Sequence, residues 1–325
     1  MKFEELKINL KKQVDNNYLL VGSDEYLLLS AYNLIVKYSN IIIPDLNIIK
    51  FNEGIIDCES VVRALETMPV FSEKKLVYVD IRMSKKSELK NISLLQEYIQ
   101  HPSNQSILII CLGDNEDIDF IKDGYTIIDC NRLEFKIVSA KIRATIAEHN
   151  KTIDDNAIQV LFDYTIGDLS KILIECNKLV SYVGNKSKIE LNDVKAIVTK
   201  TLEYQIYELT ENLAKKNSER VFEILDDMKA KKDEYRTLPS LIYSHFRRLF
   251  MISLNANLNN MEIAKYLGIK EYAIKMSRAQ ASLFSRSSLK KINDLCIKLD
   301  FDIKQSNISI DNAINLIVIT ILNLQ

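Results

Sequence analysis

The chain has 325 residues, 47% hydrophobic and 27% charged, the balance of a folded protein of two or three domains and not of a disordered segment. Its formal net charge of -1 excludes polyanion binding by bulk charge alone. Five separated cysteines (Cys58, Cys111, Cys130, Cys176 and Cys296), with no close pair and no histidine cluster, lack the spacing of a zinc module and read as reduced, buried thiols of a cytoplasmic protein.

Only 7 Gly and 4 Pro leave little room for long irregular segments, so helices should dominate. The opening MKFEELKINLKKQ has no apolar signal core. The first 130 residues alternate β-branched runs with helical stretches. Strands are expected at Tyr18–Gly22, Asn47–Phe51, Lys75–Asp80, Ser106–Leu112 and Tyr125–Asp129. Helices are expected at about Asp24–Tyr38, Cys58–Met68 and Leu94–His101. That alternation predicts a mostly parallel sheet covered on both faces, with the unbroken apolar run at Ser106–Leu112 as a central strand.

Beyond about Asn131 the β pattern disappears. Short helices are expected over 136–200, with Thr152-Ile-Asp-Asp and Glu190-Leu-Asn-Asp as helix starts and Gly184-Asn185 ending a helix over Asp168–Tyr182. Longer helices follow: Thr201–Lys215, Ser218–Lys231, Thr237–Leu254, Asn260–Leu267, Glu271–Leu283, Ser287–Leu299 and Ile310–Leu324. The last is too short to span a bilayer and reads as a core helix, so no membrane partner is expected. The expected division is an α/β domain at 1–135, a small helical lid domain at 136–200 and a helical bundle at 201–325.

The first strand runs through Gly22 into a helix, the place of a phosphate-cradling P-loop. Such a loop needs a second glycine for close backbone approach, a lysine for the phosphates and a hydroxyl for magnesium. Counted from Gly22, those positions hold Leu27, Leu28 and Leu29, and Asp24 and Glu25 would repel phosphate. The third strand ends in Asp80 without a neighbouring glutamate, so Asp80 reads as a strand-end cap or surface ion and not as a magnesium ligand. His101, His149 and His245 are scattered and read as surface or helix residues. The topology invites a nucleotide and the side chains refuse it; no catalytic site, metal or cofactor is expected.

Two other segments stand out. Met68-Pro69-Val70-Phe71 places apolar side chains at a turn after a helix, either as packing beneath the loop or as an exposed plug for a partner's pocket. Ile263-Ala-Lys-Tyr-Leu-Gly268-Ile followed by a basic helix has the form of a DNA-reading helix-turn-helix, or of two bundle helices joined by a tight turn. Its polar candidates are Lys270, Lys275, Arg278 and Gln280. The supposed reading helix gives most of its positions to apolar residues, which favours the bundle. From Arg236 to Lys291 there are 10 Lys/Arg against 2 Glu, a local excess that the rest of the chain cancels.

Tyr18-Leu-Leu-Val-Gly-Ser-Asp-Glu-Tyr-Leu, Asp168-Leu-Ser-Lys-Ile-Leu-Ile-Glu-Cys-Asn-Lys-Leu, Ile189-Glu-Leu-Asn-Asp-Val, Ser244-His-Phe-Arg-Arg-Leu-Phe and Ala279-Gln-Ala-Ser-Leu-Phe-Ser together resemble the bacterial clamp-loader delta subunits. The resemblance spans nearly the whole chain. It implies an AAA+-like α/β domain with a degenerate P-loop (Gly22, Leu27, Leu28, Leu29), a lid-type helical domain and a C-terminal collar. It further implies a non-catalytic subunit of the DNA polymerase III holoenzyme that binds no ATP and holds open one interface of the sliding clamp (beta subunit).

The family's hydrophobic clamp-binding wedge aligns with Met68, Pro69, Val70 and Phe71, with Val70 where a leucine is common. Implied partners are the clamp, the gamma/tau and delta-prime subunits, and primer-template DNA through the assembled complex. Arg247, Arg248, Lys275 and Arg278 are assigned to subunit or DNA contacts. A delta-prime identity is disfavoured, because the chain has no Ser-Arg-Cys finger and no cysteine zinc module. The alternatives are a helix-turn-helix regulator with a degenerate α/β domain, and an ATP-dependent AAA+ enzyme.

Overall fold

The structure, a computed structural model, describes residues 1–52, 55–82, 89–113, 124–230, 232–267, 269 and 271–324. The chain folds into two compact units, one of Met1–Phe162 with Gly167–Ile197 and the other of Asp163–Ile166 with Val198–Gln325. The segment 136–197 therefore falls largely in the same unit as the α/β elements.

The first unit opens with α1 (Phe3–Leu10), β1 (Asn17–Val21), α2 (Glu25–Tyr38), α3 (Pro44–Asn47), β2 (Ile48–Phe51), β3 (Ile56–Asp57) and α4 (Cys58–Glu66). Next come β4 (Lys75–Asp80), β5 (Leu89–Lys90), α5 (Ile92–Gln100), β6 (Ser106–Leu112) and β7 (Thr126–Asp129). Five strands form one parallel sheet in the order β2-β4-β6-β1-β7. All seven residues of β6 are buried, as an unbroken apolar run at the centre of a sheet requires. Side chains alternate between faces. Leu19, Val77, Val79, Leu108 and Ile110 pack under α4 and α5. On the opposite face Tyr78 meets Tyr32 of α2 edge-on, ring centroids 5.2 Å apart.

The helical remainder of this unit is α6 (Phe135–Ala147), β8 (Thr152–Ile153), α7 (Asp155–Tyr164), α8 (Leu169–Val183), β9 (Lys188–Ile189) and α9 (Leu191–Ile197). Asp168 caps α8 by accepting the Lys171 N–H at 3.1 Å. Gly184, at φ +52°, ends that helix, a backbone conformation that glycine adopts without a Cβ penalty. The expectation that β structure ceases after Asn131 needs correction. β8 and β9 pair in parallel, so Thr152-Ile153 is a strand that precedes α7 and not its first turn.

The second unit is helical: α10 (Leu202–Ala214), α11 (Ser218–Lys229), α12 (Lys232–Leu254), α13 (Asn260–Leu267), α14 (Glu271–Ala281), α15 (Arg286–Lys304) and α16 (Ile310–Asn323). Thr201, Asn217, Ser285 and Ser309 each accept a backbone N–H from the first turn that follows. Leu238, Ile242, Phe246, Leu249 and Ile252 of α12 recur at helical spacing and are buried in the core of this unit. All five cysteines are free and buried. No helix among the described residues is long and apolar enough to cross a membrane.

Candidate functional site

The corner between β1 and α2, where a P-loop would cradle phosphate, is closed by the protein itself. The Gly22 N–H donates to the Leu112 carbonyl at 3.2 Å, the Asp24 N–H to the Cys130 carbonyl at 3.1 Å, and the Cys130 N–H to the Val21 carbonyl at 2.7 Å. Backbone donors that a phosphate would need are thus already occupied. Gly22 has φ +148°, and a Cβ there would collide with the Cys130 backbone. Its glycine is required by strand packing and not by a ligand.

Asp24 takes the anion's place at the start of α2. Its Oδ1 accepts the Leu27 N–H at 3.1 Å, so a fixed carboxylate satisfies the positive end of the helix. Burial raises the Asp24 carboxyl above its usual range, against the lowering effect of the Leu27 N–H. Leu27 and Leu28 are core residues, whereas Leu29 is exposed. The lysine position of a P-loop is therefore filled by an inward-facing apolar side chain.

The magnesium position is likewise taken. Asp80, at the end of β4, accepts from Arg82 Nε at 2.9 Å on Oδ1 and from Arg82 Nη2 at 2.7 Å on Oδ2. Arg82 Nη1 reaches Glu25 Oε1 at 2.6 Å. Burial pushes the Asp80 carboxyl up, but the hydrogen bonds from Arg82 outweigh it and the net shift is downward. Asp80 is thus an internal ion-pair residue, which corrects its reading as a cap or surface ion. The sequence does not single out Arg82. Its partners lie on two separate elements, and only the proximity of Glu25 to Asp80 gives it a role.

The loop from α4 to β4 is the reverse case, apolar and open. Met68 is 80% exposed, Val70 40% and Phe71 86%, with Pro69 half-buried between them. The helix ends at Glu66, short of the expected Met68. The residue before Pro69 is biased against helix, and Lys75 Nζ draws in the Ala64 carbonyl and the Thr67 hydroxyl (2.6 Å to the latter). Asn47, at the end of α3, holds the loop from the other side. Its Oδ1 accepts the Val70 N–H at 2.7 Å and its Nδ2 donates to the Val70 carbonyl at 2.9 Å. Phe71 follows with φ +51°, a left-handed backbone that is uncommon for a bulky residue.

Two of the arginines in the second unit are spent on the unit itself. Arg278 donates to Asn260 Oδ1 at 2.9 Å, to the Leu258 carbonyl at 2.7 Å and to the Ala256 carbonyl at 3.3 Å. Arg286 Nη2 donates to the Ser253 carbonyl at 2.7 Å. Both bind carbonyls at and just beyond the end of α12, as cations at a helix C-terminus do. Gln280 is buried, donating to the Tyr207 carbonyl at 2.7 Å while its Oε1 lies 2.8 Å from His245 Nε2.

Of the polar positions proposed for the reading helix α14, Arg278 and Gln280 thus serve the bundle and Lys275 is exposed; Lys270, like Gly268, lies outside the described residues. Arg247 is exposed, whereas Arg248 is half-buried and lines a cleft with Glu203, Tyr204, Tyr207, His245 and Met276. His245 is a core residue and not a surface one. Burial, with the nearby Arg248 charge, lowers its pKa to about 4, against a small raising effect of the Gln280 hydrogen bond.

A five-stranded parallel sheet whose first strand–helix corner is occupied by Asp24 and the Asp80–Arg82 pair, followed in the chain by a helical bundle, defines an α/β protein with a helical C-terminal unit and a corner already filled by its own side chains. Residues 18–131 match the family "DNA polymerase III, delta subunit" and residues 203–321 match "DNA polymerase III delta subunit, C-terminal domain". The two matches cover more than two thirds of the chain. DNA polymerase III subunit delta of Bacillus subtilis is 26% identical over 324 residues, covering 94% of this chain and 92% of that protein. The solved Bacillus subtilis DNA clamp loader delta protein superposes with a TM-score of 0.77 at 24% identity, covering 99% of this chain and 100% of the other. The chain belongs to the DNA polymerase III delta subunit family, whose members are non-catalytic subunits of the clamp loader.

Proposed function

We propose that the chain grips the sliding clamp, the beta-subunit ring, through Met68, Pro69, Val70 and Phe71, and thereby holds one ring interface open for loading onto primed DNA. The observation that carries this reading is the exposure of Phe71, 86% accessible on a loop fixed at both flanks by Lys75 and Asn47. A large aromatic offered to solvent on a rigid support is the usual anchor of a protein interface. Burying it contributes roughly 1.5–3 kcal/mol, and pre-ordering of the loop lowers the entropy lost on docking. The wedge opens a ring only to the extent that it fits the open interface better than the closed one.

The sealed nucleotide corner supports a subunit that binds its partner without ATP, hydrolysis being left to the gamma/tau subunits. In this reading 1–135 is the clamp-binding domain, 136–200 the lid and 201–325 the collar that packs with gamma/tau and delta-prime in the cytoplasm. Of the four assigned candidates, Arg247 and Lys275 are exposed and open to those subunits or to primer-template phosphates; half-buried Arg248 is less open, and Arg278 is engaged within the bundle. A pull-down on immobilised clamp without nucleotide tests the proposal. Wild type is retained and the Val70→Ala/Phe71→Ala variant flows through. Equal retention of both would remove the loop from the interface.

A further inference from the structure

The loop that carries Phe71 does not stand alone. The turn that leads into α3 exposes Ile42, Ile43 and Leu46, three large aliphatic side chains for which solvent is an unfavourable place. Both segments meet at one buried side chain, Asn47, which is only 1% exposed. Besides its pair of bonds to the Val70 peptide, Asn47 Nδ2 donates to the Ile42 carbonyl at 2.7 Å and to the Ile43 carbonyl at 3.3 Å. A second tie runs from the Ile42 N–H to Ser72 Oγ at 3.2 Å, and Ser72 donates onward to the Lys74 carbonyl at 2.8 Å. Ile43 and Phe71 both have left-handed backbones, at φ +52° and +51°. Such conformations in bulky residues persist only where the surroundings over-determine them.

We infer that the docking surface comprises two segments, Ile42/Ile43/Leu46 and Met68/Val70/Phe71, which the Asn47 carboxamide holds in one register. This rests on the reading of the 68–71 loop as the clamp anchor, and the occupant is the same clamp. The second segment is tied to the first through shared hydrogen bonds, so a partner that covers Phe71 at standard interface size extends over the segment joined to it. Asn47 is a positioning residue. It is buried and offers the clamp nothing, but its carboxamide oxygen accepts the Val70 N–H while its two N–H bonds are shared among the Val70, Ile42 and Ile43 carbonyls. Alanine at this position frees the Val70 peptide and returns its entropy to the unbound loop.

The test is a double-mutant cycle of clamp affinity on the full-length chain, with Asn47→Ala, Phe71→Leu and the double variant, and Leu46→Ser as an independent probe. Phe71→Leu weakens the anchor while keeping binding measurable. The expected result is that Asn47→Ala loses about tenfold in affinity when Phe71 is present and clearly less when it is leucine, the coupling expected of two residues acting as one unit. Hydrogen exchange at the Val70 amide should quicken in Asn47→Ala, with exchange in β6 unchanged, a readout that general destabilisation would move in both places. Leu46→Ser, a surface change that leaves the core intact, should lose about threefold to tenfold.

Equal losses from Asn47→Ala in both backgrounds, or wild-type affinity of Leu46→Ser, overturn the inference while leaving the anchor reading intact. Wild-type affinity of Phe71→Leu together with that of Val70→Ala/Phe71→Ala overturns the anchor reading itself. Should Asn47→Ala fail to fold, Leu46→Ser alone decides whether the second segment meets the clamp.

Discussion

Arg82 and Asp80 form a two-bond pair at the end of β4, with Nε and Nη2 of one against Oδ1 and Oδ2 of the other at 2.9 and 2.7 Å. In a hydrolysing P-loop protein this strand end holds magnesium. Here a guanidinium supplies the positive charge permanently, and its third nitrogen takes in Glu25 from the first turn of α2. The corner balances its carboxylates with Arg82 alone, without metal or nucleotide.

Removing that charge should loosen the first unit. Arg82→Ala leaves the Asp80 carboxylate, 15% exposed, with the Tyr78 hydroxyl at 3.3 Å and the backbone N–H of residue 82 at 3.2 Å but without the guanidinium. The expected cost is about 1.5–3 kcal/mol, the range for a hydrogen bond to a charged group. Urea denaturation reads it. Asp80→Asn/Arg82→Ala should cost less than the sum of the single changes, because the unpaired charge is then gone as well.

Restoring the letters of a P-loop should not restore nucleotide binding. In Leu27→Gly/Leu28→Lys/Leu29→Ser the N–H groups of Gly22 and Asp24 still donate to Leu112 and Cys130, and Asp24 still occupies the helix N-terminus. Equilibrium dialysis with magnesium and ATP should show no retention for this variant or for wild type. Its folded state should be weaker by several kcal/mol, since two buried leucines are lost at about 2–5 kcal/mol each.

In the second unit Arg278→Ala should act on stability and not on DNA affinity. Its three hydrogen bonds go to Asn260, Leu258 and Ala256, and their loss leaves the turn between α12 and α13 without that tie, at a cost of about 1–3 kcal/mol. Duplex binding measured by anisotropy across unrelated sequences should show no sequence preference to lose, in wild type or in Lys275→Ala/Arg278→Ala.

His245 gives the same unit an acid-sensitive core. Its folded pKa is about 4, against 6.5 for a solvated imidazole. Between those values the unfolded chain takes up a proton that the native state refuses, so stability rises with pH there. The contribution is fully present above about 6.5 and is lost progressively as the pH falls towards about 4. His245→Gln, which removes the titration, should show a shallower fall in urea midpoint over that window.

What the sequence makes legible follows the reach of each interaction. β4, β6 and α13 lie where local pattern puts them, and Asp24, Asp168 and Thr201, expected as the first residues of their helices, are the caps one position before them, because strand alternation and helix starts are read within a few residues. The closed P-loop is equally readable, since three leucines replace three required residues in one short run. The short pairs β3 with β5 and β8 with β9 are not readable; two residues carry no period, and each partner lies more than 30 residues away.

Arg82, Asn47 and Lys75 escape for a related reason. Each is an ordinary polar residue until the fold brings it to Asp80 and Glu25, to the Val70 peptide, or to the end of α4. The exposure of Phe71 is likewise undecided by residues alone. An apolar turn is written identically whether it packs inward or faces a partner.

The most direct measurement is the affinity of the purified chain for the sliding clamp, taken by titrating a labelled clamp with and without ATP. A Phe71 anchor that works without nucleotide gives one dissociation constant under both conditions, weakened at least about 100-fold by Val70→Ala/Phe71→Ala. An unchanged constant for that variant, or clamp binding by the isolated wild-type chain that appears only with ATP, would contradict it.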